Sequence, residues 1–258
     1  MKGKIASSEV NLCTLPKVAI FGGSFDPLHN GHFGIMHAVL GELGIKHLII
    51  LPAFCSPFKH SSLLSPQARL SLCKLAAAHL AKDYPKARIE VCDFEIACAQ
   101  STYSIESVRY LRSKLGGECA DSLDCAPDLA DMDSVDSIES RGERRDLAGD
   151  YTRIGFVLGW DSFAQFHLWR EYDELARKVV LLVFDRGGHS EGEFKILAES
   201  LNLAGLCARF VPFRHTISST RIREQLSYGN FSEIPSFLLP ALKEFLQKPC
   251  YNAAQNQP

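Results

Sequence analysis

The sequence predicts an α/β protein built on a doubly wound parallel sheet, and three observations predict it. Short apolar runs alternate with stretches of helical periodicity along most of the 258 residues. The apolar runs are near-continuous, as in strands buried on both faces by helices. The segments richest in chemistry follow strands and open helices, at the carboxyl ends where such sheets bind ligands.

Taken in order, Lys17 to Gly22 reads as the first strand and Gly31 to Leu43 as the helix behind it. His47 to Pro52 is a second strand, followed by a helix from Pro66 to Lys82 with proline at its first position. Arg88 to Phe94 is a third strand and Tyr103 to Leu115 the next helix. Ile154 to Leu158, Val179 to Phe184 and Ala208 to Val211 complete the strands. Helices are expected at Ser162 to Gln165, Glu171 to Arg177, Glu193 to Leu203 and Ser219 to Tyr228.

One stretch breaks this rhythm. Between Gly116 and Asp150 stand eleven acidic residues against three arginines, a balance of −8 that leaves the rest of the chain at +6. The stretch has no aromatic residue and only five Leu, Ile or Val, too little apolar surface to order itself. We read 116–150 as an acidic, disordered insertion, with Leu129, Met132, Val135 and Ile138 spaced for a short conditional helix. The organisation is then an N-terminal extension over 1–16, one domain over 17–248 containing the insertion, and a tail over 249–258. The basic body suits an anionic ligand, although ordinary surface variation gives the same balance.

Nine scattered cysteines without a Cys-x-x-Cys pair indicate a reducing cytoplasm and thiols that mostly serve as buried filler. No apolar run has the length of a membrane span or a signal-peptide core, so a soluble, unsecreted, cytoplasmic protein is expected, with no membrane and no nucleic-acid partner. A homo-oligomer is left open.

The most informative segment is Gly22-Gly-Ser-Phe-Asp-Pro-Leu-His-Asn-Gly-His32. Gly22 and Gly23 let the backbone approach a ligand closely. His29 and His32 flank Gly31 at a helix start, where open amides and the helix dipole favour an anion. Two imidazoles there add donors where charge develops in phosphate transfer. A lone Gly-Gly or a lone histidine is more often turn or core chemistry; the eleven-residue combination is far more specific. Asp26 reads as ordering the loop rather than ligating metal.

This segment resembles the HxGH motif of the nucleotidyltransferases, and Ile217-Ser-Ser-Thr-Arg-Ile-Arg223 resembles their ISSTxIR motif, again just before a helix. The resemblance implies a Rossmann-like sheet with ATP between the two motifs, and attack by a substrate phosphate on the α-phosphorus that expels pyrophosphate. The attacking phosphate is already anionic near neutral pH, so catalysis rests on positioning and charge neutralisation, with Mg²⁺ accompanying ATP. It assigns catalysis to His29 and His32. ATP binding falls to Gly22, Gly23, Ser24, Phe25, the two histidines, Ser218, Ser219, Thr220 and Arg223. No residue is assigned as a metal ligand. On the residues alone, Ser218 to Thr220 is a simple helix cap.

Three more segments resemble the nicotinate-nucleotide adenylyltransferase branch. Cys55-Ser-Pro-Phe-Lys59 places Lys59 for the acceptor's phosphate, with Phe58 in place of the common histidine. Thr102, Tyr103 and Ser104 match a Ser-Tyr-Thr triplet, a serine standing where threonine is usual. Gly159-Trp-Asp-Ser-Phe163 is similar to Gly-x-Asp-Ser-Leu, giving Gly159 and Asp161 as ribose or base contacts, Asp161 equally as a helix cap. Phe166 to Tyr172 contributes Trp169, whose indole can face a pyridine ring or be plain core, and Arg170, whose charge favours a carboxylate. The acceptor so implied is nicotinate mononucleotide, as an enzyme of NAD biosynthesis would use. Nicotinamide mononucleotide, phosphopantetheine and a non-catalytic nucleotide sensor stay as alternatives. A dehydrogenase is excluded because no Gly-x-Gly-x-x-Gly opens the first helix.

Overall fold

The computed structural model describes residues 14–55, 62–115, 153–201, 206–213, 215 and 218–227. Six strands form one all-parallel sheet: β1 (Val18–Gly23), β2 (His47–Pro52), β3 (Arg88–Val91), β4 (Ile154–Gly159), β5 (Val179–Asp185) and β6 (Cys207–Pro212), in the order β3-β2-β1-β4-β5-β6. Residues of β1 pair with β2 from Val18 opposite His47 to Gly23 opposite Pro52, and with β4 from Ala19 opposite Gly155. The chain therefore leaves β1 toward β2 and β3, then crosses back to β4 on the other side. That reversal opens a crevice at the carboxyl ends of β1 and β4.

Every residue of β5 is buried, and from Val179 to Phe184 its sequence is accordingly a continuous apolar run. The period-two geometry still divides the sheet's side chains between two layers. Ala19, Phe21, Leu48, Ile50, Leu182 and Phe184 belong to one core; Val18, Ile20, Ile49, Leu51, Leu181 and Val183 belong to the other. The first core takes in α1 (Asn30–His37), which runs on through a π-helical turn at Ala38–Glu42, and α2 (Pro66–Asp83). The second takes in α4 (Ser104–Lys114), α6 (Tyr172–Lys178) and α7 (Glu191–Ser200). Two short helices, α3 (Phe94–Ala97) and α5 (Trp160–Ala164), and α8 (Ser219–Ser227) complete the fold.

The expected doubly wound parallel sheet is present, and the differences are local. The third strand stops at Val91 rather than Phe94, because Asp93 turns the chain into α3. The expected helix from Gly31 to Leu43 divides at His37 into α-helical and π-helical parts. A 3₁₀ turn, Phe166–Leu168, links α5 to Trp169. Cys73 is buried as filler, but Cys55 is exposed where the chain leaves β2, and Cys92 and Cys98 are half-buried. No helix among the described residues is long and apolar enough to cross a membrane. The acidic stretch 116–150, residues 1–13 of the 1–16 extension, Lys59 and the tail lie outside the described residues.

Candidate active site

The loop leaving β1 places both motif histidines by backbone hydrogen bonds. His29 stands in extended conformation at the N-cap of α1, and its Nδ1 accepts the Gly31 N–H at 3.0 Å. Its own N–H donates to Nδ1 of His32 at 3.2 Å. This reciprocal cap uses imidazole where Ser and Glu are usual. It also sets the tautomers: a neutral ring whose Nδ1 accepts a hydrogen bond carries its proton on Nε2. Both residues thus offer Nε2–H as a donor. Their rings stack 3.8 Å apart, and Phe25 closes on His32 edge-on at 5.0 Å. His29 is buried, and its pKa falls to about 3 through burial first and then the positive neighbours His215 and Arg186.

The second motif docks onto this loop. Ser219 Oγ donates to the Pro27 carbonyl at 3.1 Å, and Arg223 Nη1 to the Asp26 carbonyl at 2.8 Å. Arg223 Nη2 holds Thr220 Oγ1 at 3.0 Å, while Ser218 Oγ accepts the Arg221 N–H at 3.2 Å as the cap of α8. Ile222, wholly buried, anchors the helix. The Asp26 side chain is itself wholly buried, and its two oxygens accept the N–H groups of Leu63 and Leu64 at 2.8 and 2.9 Å. It orders the loops.

Three residues outside the motifs complete this side. Arg69 lies on the apolar stripe of α2 with no exposed surface, and its guanidinium donates to the carbonyls of Ser24, Ala53, Phe54 and Leu64. One buried cation so ties the β1 exit, the β2 exit and the turn before α2. Arg186 and His215 face His29 and His32 across a pocket over the start of α1. None of the pocket's lining residues is acidic. A Cβ at Gly31 would stand 2.8 Å from the His29 ring and 3.0 Å from His215, so the pocket depends on glycine there.

The expected acceptor residues, Lys59 apart, lie on the side of α4 and α6. Tyr103 caps α4 and is well exposed, and the Arg170 guanidinium lies 4.7 Å over its ring. Ser104 opens the helix, and the Thr102 hydroxyl is buried just before it. Arg109 pairs with Glu171 at 2.6 Å and with Glu174, fastening α4 to α6 and so this segment to Trp169. Trp169 is half-buried, edge-on to Phe156 at 6.0 Å, and keeps part of its indole accessible. Gly159 caps α5, with Asp161 exposed in its first turn. Beside it, Trp160 stacks on His189 at 3.9 Å; the sequence reading singled out neither.

Residues 20–225 match the Cytidylyltransferase-like family. Over 170 residues, 66% of this chain and 72% of its relative, the sequence is 44% identical to a probable nicotinate-nucleotide adenylyltransferase of Campylobacter jejuni. The corresponding protein of Nitratiruptor is 31% identical over 173 residues, 67% of this chain and 75% of the relative. The chain belongs to the nicotinate-nucleotide adenylyltransferases. A Plasmodium falciparum nicotinic acid mononucleotide adenylyltransferase complexed with NaAD shares the fold, with a TM-score of 0.61 over 91% of this chain and 97% of that one at 16% identity.

For this adenylyltransferase-family site the buried neutral His29 has a thermodynamic signature. Its pKa is lower folded, about 3, than unfolded, 6.5, so the unfolded chain binds more protons in between. Stability is therefore lost as pH falls from about 6.5 toward 3, by up to about 1.4 kcal/mol per pH unit from this residue. His29→Asn keeps a side-chain cap and should flatten that fall. Urea denaturation of both proteins at pH 7, 6 and 5 checks it; parallel pH dependences would refute the assignment.

Proposed function

We propose that this chain transfers the adenylyl group of ATP to nicotinate mononucleotide, giving nicotinate adenine dinucleotide and pyrophosphate in NAD biosynthesis. The observation that carries the reading is the docking of the second motif on the first, beside a pocket of imidazole and guanidinium groups without an acidic wall. The 44% identity to a probable enzyme of that name supports the acceptor.

In the reaction an oxygen of the acceptor's phosphate forms a bond to the α-phosphorus, and the bond from that phosphorus to the bridging oxygen breaks. Pyrophosphate leaves with the electron pair. No proton has to be removed from the nucleophile. His29 and His32, proton on Nε2, donate to the phosphate oxygens as charge builds. Arg223 gives two N–H groups to Asp26 and Thr220 and keeps others for the β and γ phosphates, with the hydroxyls of Ser218 and Ser219 nearby. Gly22, Gly23, Ser24 and Phe25 line the approach, and Gly159 and Asp161 face the ribose. Lys59, Thr102, Ser104, Trp169 and Arg170 receive the acceptor.

The described residues do not offer a resident divalent cation a carboxylate cage. No group of three potential ligands stands together among the described residues, and both Asp26 oxygens are taken by backbone N–H groups. Mg²⁺, brought with ATP, would supply charge neutralisation on the phosphates beside the donors of His29, His32 and Arg223.

Nicotinate mononucleotide should exceed its amide at least about tenfold in kcat/KM, the roughly 1.4 kcal/mol that one carboxylate contact supplies. A pyrophosphate-release assay with ATP and each acceptor tests this. Equal use of both would overturn the selectivity, and turnover with phosphopantetheine alone would overturn the acceptor class.

A further inference from the structure

Asp26, Glu95 and Asp185 are the buried carboxylates among the described residues, and Glu95 is the one that belongs to no motif and caps no turn. Asp26 and Asp185 accept backbone N–H groups and order the loops beside them. Glu95 accepts a side chain instead: Ser107, itself without exposed surface on α4, donates its hydroxyl to Glu95 Oε1 at 2.7 Å. The Thr102 hydroxyl is buried too, without a hydrogen-bond partner of its own, yet near enough to act on the same carboxyl. Burial raises the Glu95 pKa, the hydroxyls of Ser107 and Thr102 lower it, Glu106 raises it and Arg69 of α2 lowers it.

Packing alone does not call for an acid at this position. Phe94 stacks on Tyr110 at 4.1 Å and 14°, so an aromatic contact already joins α3 to α4. An apolar side chain at 95 would avoid the cost of desolvating a carboxyl group. What the carboxyl adds is direction. The connection from α3 to α4 passes through Ala99 at φ of 53°, a backbone conformation that persists in a residue other than glycine only where the surroundings hold it. Cys92 N–H donates to the Ile50 carbonyl at 2.9 Å, fixing the start of this connection to the end of β2. At its far end, Glu106 accepts the Tyr103 N–H at 2.8 Å on the exposed side of α4, and Glu95 takes Ser107 on the buried side.

We propose that Glu95 is a positioning residue for the acceptor, the buried group that sets Thr102, Tyr103 and Ser104 at the opening of α4. The inference rests on the proposed reading of those three residues as acceptor contacts. Glu95 itself touches no substrate. Its hydrogen bond to Ser107 fixes α4 along and about its axis, which stacked rings do not, and so fixes where the hydroxyls of Thr102 and Ser104 stand. The ATP side is held separately, by the docking of α8 on the β1 loop.

The test is steady-state kinetics, varying ATP and nicotinate mononucleotide in turn, on the wild-type protein, Glu95→Leu, Glu95→Gln and Ser107→Ala. Glu95→Leu keeps the volume and loses the hydrogen bond; it should raise the acceptor KM at least about tenfold and leave the ATP KM within about twofold and kcat within about threefold. Glu95→Gln retains an oxygen for Ser107 and should stay within about threefold of wild type in every constant. Ser107→Ala removes the donor at almost no volume and should raise the acceptor KM at least about threefold with ATP unchanged, a result that stands even where Glu95→Leu does not fold. An acceptor KM within twofold of wild type in both Glu95→Leu and Ser107→Ala overturns the proposal. So does an equal rise for ATP, or a Glu95→Gln as impaired as Glu95→Leu, since either marks a general loss of structure. Wild-type protein that adenylylates another acceptor in place of nicotinate mononucleotide would sink the proposed function, and the same split between the two KM values, read on that acceptor, decides the role of Glu95.

Discussion

His32→Ala is expected to lower kcat on the order of 10²-fold or more while the protein remains folded. The lost group is a donor whose orientation is set in advance, because Nδ1 is taken by the His29 N–H and Nε2 keeps the proton. Such a donor needs no reorganisation as charge develops on the phosphate, and its removal acts on the transition state more than on ground-state binding. The structural cost is small by comparison. Half of the reciprocal cap on α1 disappears, about 1 kcal/mol, and the His29 cap to Gly31 survives. Steady-state kinetics and a thermal melt on the same preparation distinguish the two. Near-normal turnover with an unchanged melt would remove His32 from the mechanism.

Arg69→Met should be the most destabilising single change, at about 3–5 kcal/mol, lowering the melting temperature by roughly 10 °C. Methionine approximates the stem and fills the space. It leaves the carbonyls of Ser24, Ala53, Phe54 and Leu64 without their shared donor in a fully buried position. Burial lowers the pKa of the guanidinium, with Asp26 acting the other way, yet arginine stays charged. Arg69→Lys should recover only part of the loss, since an ammonium cannot span carbonyls arranged for a planar fork. Urea denaturation of the three proteins decides it, and a loss below about 1 kcal/mol for the methionine variant would show that these bonds add little.

The two layers, the six strands and their order of appearance were legible because a parallel strand buried on both faces writes a continuous apolar run; Val179 to Phe184 is the clearest case. His29 and His32 were legible as a pair because a reciprocal cap at a helix start needs particular residues at fixed spacing. Arg69 was not singled out, although its signal was present: a cation at the apolar spacing of Leu72, Cys73, Ala76 and Leu80. Arg186 and His215 carried no local signal at all. They acquire meaning only when β5 and β6 lie side by side and their exits turn over α1, a juxtaposition that no sequence window contains. The short α3 was lost for the opposite reason, since Arg88 to Phe94 looks extended until Asp93 turns the chain.

The clasp between α8 and the β1 loop joins Ser219 to Pro27 and Arg223 to Asp26 across 192 and 197 positions of sequence. During synthesis, a growing chain can therefore lay down β1 and both histidines long before the half-site that completes them exists. Contacts this far apart carry the largest loop-closure cost and tend to form late. Turnover consequently reports completion: activity regained during refolding times the meeting of the first loop with α8, whereas helix and sheet signals time the layers between them.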